Sequence, residues 1–112
     1  MIIPTTHHFI IELQSEVLTR YTERDCITLL DGICEELKLN VVQKCPYLFS
    51  PHGFSLVYVL AESHIALHFW PKEGYVHIDL LTCAPADPGI DTLSDFFAER
   101  HIRDSKLLKL KY

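Results

Sequence analysis

Between residues 63 and 83 the chain alternates side-chain character with a period of two, in two runs separated by a short Pro/Gly segment. Over 63–70, Ile65, Leu67 and Phe69 share one parity, while His64, Ala66, His68 and Trp70 share the other. Over 75–83, Val76, Ile78, Leu80 and Thr82 oppose Tyr75, His77, Asp79, Leu81 and Cys83. Successive side chains of a strand point to opposite faces, so this pattern commits the segment to two strands joined at Pro71–Gly74. One face is aliphatic and has to be covered by helices. The other carries histidines, aromatics and a thiol, too apolar for open water and too polar for a core. That predicts a homodimer in which these faces stack and enclose a shared interface.

The rest of the chain supplies the cover. "HHFIIEL" (7–13) reads as a strand. Thr22 precedes a helical pattern that puts Cys26, Leu29, Leu30, Ile33, Cys34 and Leu37 on one side, predicting a helix near 23–38. "VVQKCPYLF" (41–49) is a strand in which Pro46 demands a bend or a sheet edge. A turn at Pro51-His52-Gly53 leads into "FSLVYVLA" (54–61). Asp87-Pro88 reads as an N-cap and first helical position, opening a helix with Ile90, Leu93 and Phe97 as its apolar stripe. "SKLLKLKY" is a last strand whose lysines suit an edge. The order β-α-β-β-β-β-α-β predicts an α+β fold, a two-layer sandwich with an antiparallel sheet and both helices on one face.

With 112 residues and no linker, repeat or low-complexity stretch, this is one domain spanning 1–112. A net charge of −5 with interspersed signs excludes a basic nucleic-acid footprint, and no Lys/Arg cluster addresses a membrane. The N-terminal "MIIPTTHHFIIEL" lacks the charged flank and apolar length of a signal peptide. Cys26, Cys34, Cys45 and Cys83 form no C-x-x-C pair, so reduced thiols and a cytoplasmic location are expected.

Three chemistries compete for the polar face. His52, His64, His68 and His77 are metal-ligand types, but their spacing fits no ligand motif, and no metal is expected. Ser63 or Cys83 is a nucleophile if His68 converges on it. Otherwise these are polar positions on a half-buried sheet, as Cys26 and Cys34 are core residues of a helix and His7 and His8 the start of a strand.

Glu62-Ser63-His64, followed by His68, Trp70-Pro71, Gly74-Tyr75, Ile78-Asp79 and Thr82-Cys83, strongly resembles the bacterial and archaeal S-adenosylmethionine decarboxylase proenzymes. The likeness extends upstream through Phe49, Pro51, Gly53 and Ser55, and faintly to Glu12. From about Ala84 onward only length and helix pattern match. The resemblance implies self-cleavage of the Glu62–Ser63 bond into a 1–62 β chain and a 63–112 α chain. Ser63 Oγ attacks the Glu62 carbonyl, the amide becomes an ester, and β-elimination followed by hydrolysis leaves a pyruvoyl group in place of Ser63. That cofactor forms a Schiff base with the substrate amine and accepts the electrons released with carbon dioxide.

The family's pattern assigns His68 as the acid/base of processing, Ser55 as its support, and Cys83 as proton donor in decarboxylation. A thiol, with its ordinary pKa of about 8.5, is a reasonable acid for that last step. Phe49 matches a ring that stacks on the substrate adenine, Trp70 shapes the pocket, and Glu12 joins them as a substrate contact. Dimerisation completes each site from both protomers. The implied function is decarboxylation of S-adenosylmethionine for spermidine synthesis. One departure bears on substrate: where the family has a glutamate after Trp-Pro, this chain has Lys72, with Glu73 next. A pyruvoyl-dependent ornithine or arginine decarboxylase of the same descent is the alternative. An uncleaved, non-catalytic binding or regulatory subunit is another, which the presence of Ser63, His68 and Cys83 together opposes.

Overall fold

The computed structural model describes residues 3–49, 52–83 and 89–111. In chain order the elements are β1 (His7–Gln14), a 3-10 turn (Glu16–Arg20), α1 (Glu23–Glu36), β2 (Val41–Phe49), β3 (Gly53–Leu60), β4 (Ser63–Trp70), β5 (Tyr75–Thr82), α2 (Ile90–Glu99) and β6 (Asp104–Leu110). The strands form one six-stranded sheet in the order β2-β3-β4-β5-β1-β6. Every pairing is antiparallel. The expected two-layer architecture is present, with Pro46 and the lysines of β6 on the two edges.

The parity read in β4 and β5 is the parity of burial. Ile65, Leu67, Phe69, Val76, Ile78 and Leu80 are buried with Phe9, Ile11 and Leu13 of β1 and Phe54, Leu56 and Leu60 of β3. Against them pack Cys26, Leu29, Leu30, Ile33 and Cys34 of α1 and Leu93, Phe96 and Phe97 of α2, in one continuous cluster. Both helices therefore cover the same face. Among the described residues no element lies over the opposite face, which leaves Tyr47, Val59 and Leu108 68%, 42% and 57% exposed.

Three details depart from expectation. Helix α1 stops at Glu36, because Lys38 turns out of the helical region at φ 56°. Helix α2 begins at Ile90, after a Gly89 at φ 84°; Asp87 and Pro88, read as its cap and first position, lie outside the described residues. Ile90 is 38% exposed, and Phe96 takes its place in the buried stripe. Pro51 also lies outside the described residues, while His52 N–H closes a turn on the Phe49 carbonyl at 2.9 Å. Among the described residues no helix is long and apolar enough to cross a membrane.

Helix α1 is held at both ends of its packing. Thr22 and Asp25 form a capping box, each side chain bonded to the other's backbone N–H, which satisfies two otherwise orphaned donors. In the middle, Asp31 accepts from the hydroxyl of fully buried Tyr58 and from Lys44 Nζ at 3.0 Å. Burial, then the bond to Asp31, pushes the Tyr58 hydroxyl well above its usual pKa, so it stays a donor. A hydrogen bond to a charged acceptor contributes about 1.5–3 kcal/mol. Tyr58→Phe should therefore lower stability by about 1–2 kcal/mol in urea unfolding with an unchanged m-value, since Lys44 still neutralises Asp31. A loss under about 0.3 kcal/mol would show the pair to be incidental.

Candidate active site

The β3–β4 connection is only two residues long, Ala61 and Glu62, and Glu62 has φ +61°. A residue with a Cβ adopts that left-handed conformation at a cost of about 1–2 kcal/mol. The strained residue supplies the carbonyl of the Glu62–Ser63 bond. Across the sheet, the β4–β5 register pairs His64 with Leu81, so the next residues on each strand bring Cys83 to the same corner. Cys83 then makes two contacts. Its backbone N–H donates to Ser63 Oγ at 3.0 Å, and its Sγ donates to the Glu62 carbonyl oxygen at 3.1 Å. One residue thus fixes the hydroxyl and polarises the carbonyl beside it, the two groups an N-to-O acyl shift joins.

A second group of functional side chains lies at the other end of the uncovered face. Ser55 Oγ and His68 Nδ1 are 2.8 Å apart. His77 stands opposite His68 in register, with ring centroids 6.4 Å apart. Burial, and then the neighbouring His77, lower the His68 pKa below its usual value, against a weaker upward pull from Asp79. His68 is therefore neutral at pH 7. Beyond it the rings of Phe49, Trp70 and Tyr75 follow one another, with centroid separations of 5.9 Å and 5.4 Å. Gly53 makes room for this: a Cβ there would stand 2.5 Å from the Phe49 ring and 2.1 Å from the Phe69 carbonyl. Tyr75 donates to Glu12 Oε2 at 2.7 Å, and burial together with that bond pushes its hydroxyl pKa up to about 12.

The expected convergence of Ser63, His68 and Cys83 is thus met in part. Ser63 and Cys83 meet at one corner with Glu62. His68 and Ser55 stand five residues further along β4, about 16 Å at the strand rise. Lys72 and Glu73 are exposed in the β4–β5 turn, and the carboxylate fixed beside the aromatic rings belongs to Glu12. Among the described residues no group of three or more His, Cys, Asp or Glu side chains is arranged to hold a metal ion. Of the four histidines weighed as ligands, His68 and His77 face each other and His64 lies beside Asp79.

Three residues carry more than the sequence reading gave them. Asp79 Oδ1 lies 2.8 Å from His8 Nε2 and 3.6 Å from His64 Nε2, drawing together strands β1, β4 and β5. The sequence makes His8 the start of a strand and His77 a metal-ligand type on the polar parity. The missing signal was the position of β1: once β1 is placed beside β5, His8 and Glu12 fall on the uncovered face. On the other face His7 is buried, with neither ring nitrogen hydrogen-bonded among the described residues; nothing in the structure explains it.

Known proteins share both the fold and the sequence pattern. The model of the family described as S-adenosylmethionine decarboxylase matches residues 7–108. A Clostridium botulinum (strain Loch Maree / Type A3) S-adenosylmethionine decarboxylase proenzyme is 38% identical over 58 residues, 52% of this chain and 50% of the relative. The Aquifex aeolicus proenzyme is 41% identical over 59 residues, 53% of this chain and 44% of the relative. The aligned part of this chain thus spans about half the length of these curated relatives. The crystal structure of the adenosylmethionine decarboxylase from Aquifex aeolicus superposes with a TM-score of 0.78 at 22% identity, covering 96% of this chain and 89% of that one, which is a likeness of fold. Because the family model runs from the first residue of β1 into β6, taking in the Glu62–Ser63 corner and the His68 end alike, the chain belongs to the S-adenosylmethionine decarboxylase family.

Proposed function

We propose that this protein is a self-cleaving, pyruvoyl-dependent decarboxylase acting on S-adenosylmethionine. The observation that carries the reading is the double contact of Cys83 with Ser63 Oγ and the Glu62 carbonyl. Attack of Ser63 Oγ on that carbonyl carbon moves the acyl group from nitrogen to oxygen. The Ser63 nitrogen takes the proton, and the strain at Glu62 is released as the bond rearranges. Removal of the Ser63 α-proton then expels the Glu62 carboxylate, and water converts the new end of the 63–112 chain to pyruvoyl with loss of ammonia. The residues present fit this group: a serine held by a backbone donor, and a thiol within reach of the same atoms. Once formed, the pyruvoyl carbonyl serves as the electron sink for loss of carbon dioxide. Cys83 Sγ is the proton source nearest that position.

The base that removes the α-proton has to come from elsewhere. His68, the neutral imidazole held by Ser55, stands about 16 Å along β4 from Ser63 of its own chain. Two copies stacked on their uncovered faces with strands reversed set the His68 end of one over the Ser63 corner of the other. The exposed Tyr47, Val59 and Leu108 on that face support such a homodimer. Each site would then take Ser63 and Cys83 from one copy and Ser55, His68, Phe49 and Trp70 from the second.

Self-cleavage and this division of labour are tested together by denaturing electrophoresis and mass spectrometry. The wild-type chain should yield fragments 1–62 and 63–112. Ser63→Ala and His68→Ala should each stay intact alone. Unfolded together and refolded as a mixture, they should give cleavage of the His68→Ala chain only, up to roughly half of it in mixed dimers. A mixture that stays intact would place both residues in one chain's site, and an intact wild type would remove the cofactor altogether.

The substrate reading rests on the Phe49–Trp70–Tyr75 rings, an apolar cluster tilted ring to ring by 60° and 40° whose faces suit adenine, and on the carboxylate of Glu12 beside it. Lys72 opposes a cationic sulfonium, but its exposure in the turn weakens that effect by solvent screening. Carbon dioxide release from the cleaved protein should be fastest with S-adenosylmethionine, and Lys72→Glu should lower KM by about threefold, less at high salt. Faster release from ornithine, arginine or lysine would overturn the substrate while leaving the cleavage chemistry intact.

A further inference from the structure

The registers of the five strand pairs line up one row of polar side chains across the whole sheet. Reading from edge to edge on the uncovered face, Tyr47 pairs with Ser55, Ser55 with His68, His68 with His77, His77 with Glu12, and Glu12 with Lys106. Every member can donate or accept a hydrogen bond. The row beside it, Cys45, Val57, Ala66, Asp79, Ile10 and Leu108, is largely apolar. His77 sits at the centre of the polar row, between the one histidine hydrogen-bonded to a serine and a carboxylate fixed by Tyr75.

We propose that His77 is a positioning residue of the processing site that acts through His68: a charge on its ring, set against Glu12, keeps a proton off His68 and leaves His68 the free base. The inference rests on the reading that His68 takes the Ser63 α-proton of a second copy. In that role Nδ1–H donates to Ser55 Oγ and Nε2 holds the lone pair. When Nε2 accepts the α-proton, the electron pair forms the Cα–Cβ double bond and the ester oxygen leaves with Glu62. The imidazolium so formed faces His77, which disfavours it, and the proton leaves His68 for water.

The other groups around His68 are accounted for. Ser55 on β3 is its hydrogen-bond partner, and Trp70 on β4 lies 6.3 Å away, ring to ring. On β5, Asp79 pulls toward protonation, but it is engaged by His8 of β1 at 2.8 Å and flanked by His64 of β4 at 3.6 Å. Tyr75 donates to Glu12 of β1, and Lys106 of β6 stands beyond it. His77 is therefore the ionisable ring set directly against His68.

The test is NMR titration of the His68 ring in the uncleavable Ser63→Ala protein, with position 77 as His, Gln or Lys. Gln should raise the His68 midpoint by about 0.5–1 pH unit, the size of one like charge at this separation in a partly wet site. Lys, a permanent charge, should leave it at or below the wild-type value. In chains that retain Ser63, the acid limb of the self-cleavage rate should move the same way, so that His77→Gln cleaves several-fold more slowly near pH 6. A His68 midpoint within about 0.2 units of wild type in the His77→Gln protein would overturn the proposal. The titration decides it even if the wild-type chain fails to cleave, so loss of the processing reading and loss of this one are told apart.

Discussion

The register of the β4–β5 hairpin is the constraint on which everything else depends. Pairing His64 with Leu81 and His68 with His77 puts Cys83 at the Glu62–Ser63 bond and lines the helix-facing side with aliphatic residues. Slipping by one residue would send Ile65, Leu67 and Phe69 to the uncovered face and the histidines into the core, so the register is specified by the full burial energy of both strands. The turn fixes it locally. Gly74 has φ 58°, a Cβ on it would stand 2.5 Å from the Ser15 carbonyl oxygen, and its own carbonyl accepts from Ser15 N–H at 3.0 Å. The tip of the hairpin is thus tied to the end of β1, the strand that pairs with β5.

From this follows the separation of chemistry into two ends. A hairpin that places Ser63 at the start of β4 and Trp70 at its finish puts the Glu62–Ser63 bond and the aromatic rings about 23 Å apart along the strand. No side-chain motion closes that distance. A fold of this kind can unite the two ends only by meeting a second, reversed sheet, and the face that would meet it is the one the helices leave bare. The exposed apolar residues there and the division of the proposed site between two ends follow from one geometry.

Most of the fold was legible because burial on one side of a sheet leaves a period-two record in the sequence. The strands from 41 to 82, the helix after Thr22 and both sheet edges could be read from that record with Pro46 and the terminal lysines. What could not be read was long-range. Strand β1 is the first in sequence yet lies between β5 and β6, and nothing local encodes that insertion. The reading therefore missed the partners that β1 delivers: His8 to Asp79, and Glu12 to Tyr75 and the His77 row. The strained φ of Glu62 was equally hidden, since a non-glycine residue in that conformation leaves no compositional sign.

That same insertion decides which carboxylate serves the aromatic end. Lys72 and Glu73 are carried on an exposed turn, where a side chain is free to rotate and its charge is screened. Glu12 is carried on an interior strand, anchored through Tyr75, with its charge set against His77 in register. A charge held in place by a hydrogen bond discriminates between ligands better than a mobile one, because it does not have to be ordered when the ligand binds. The loss of a glutamate at position 72 is therefore a weaker change than the sequence alone suggests. It is β1 that sets a carboxylate beside the aromatic rings, in register with the histidine row that reaches His68.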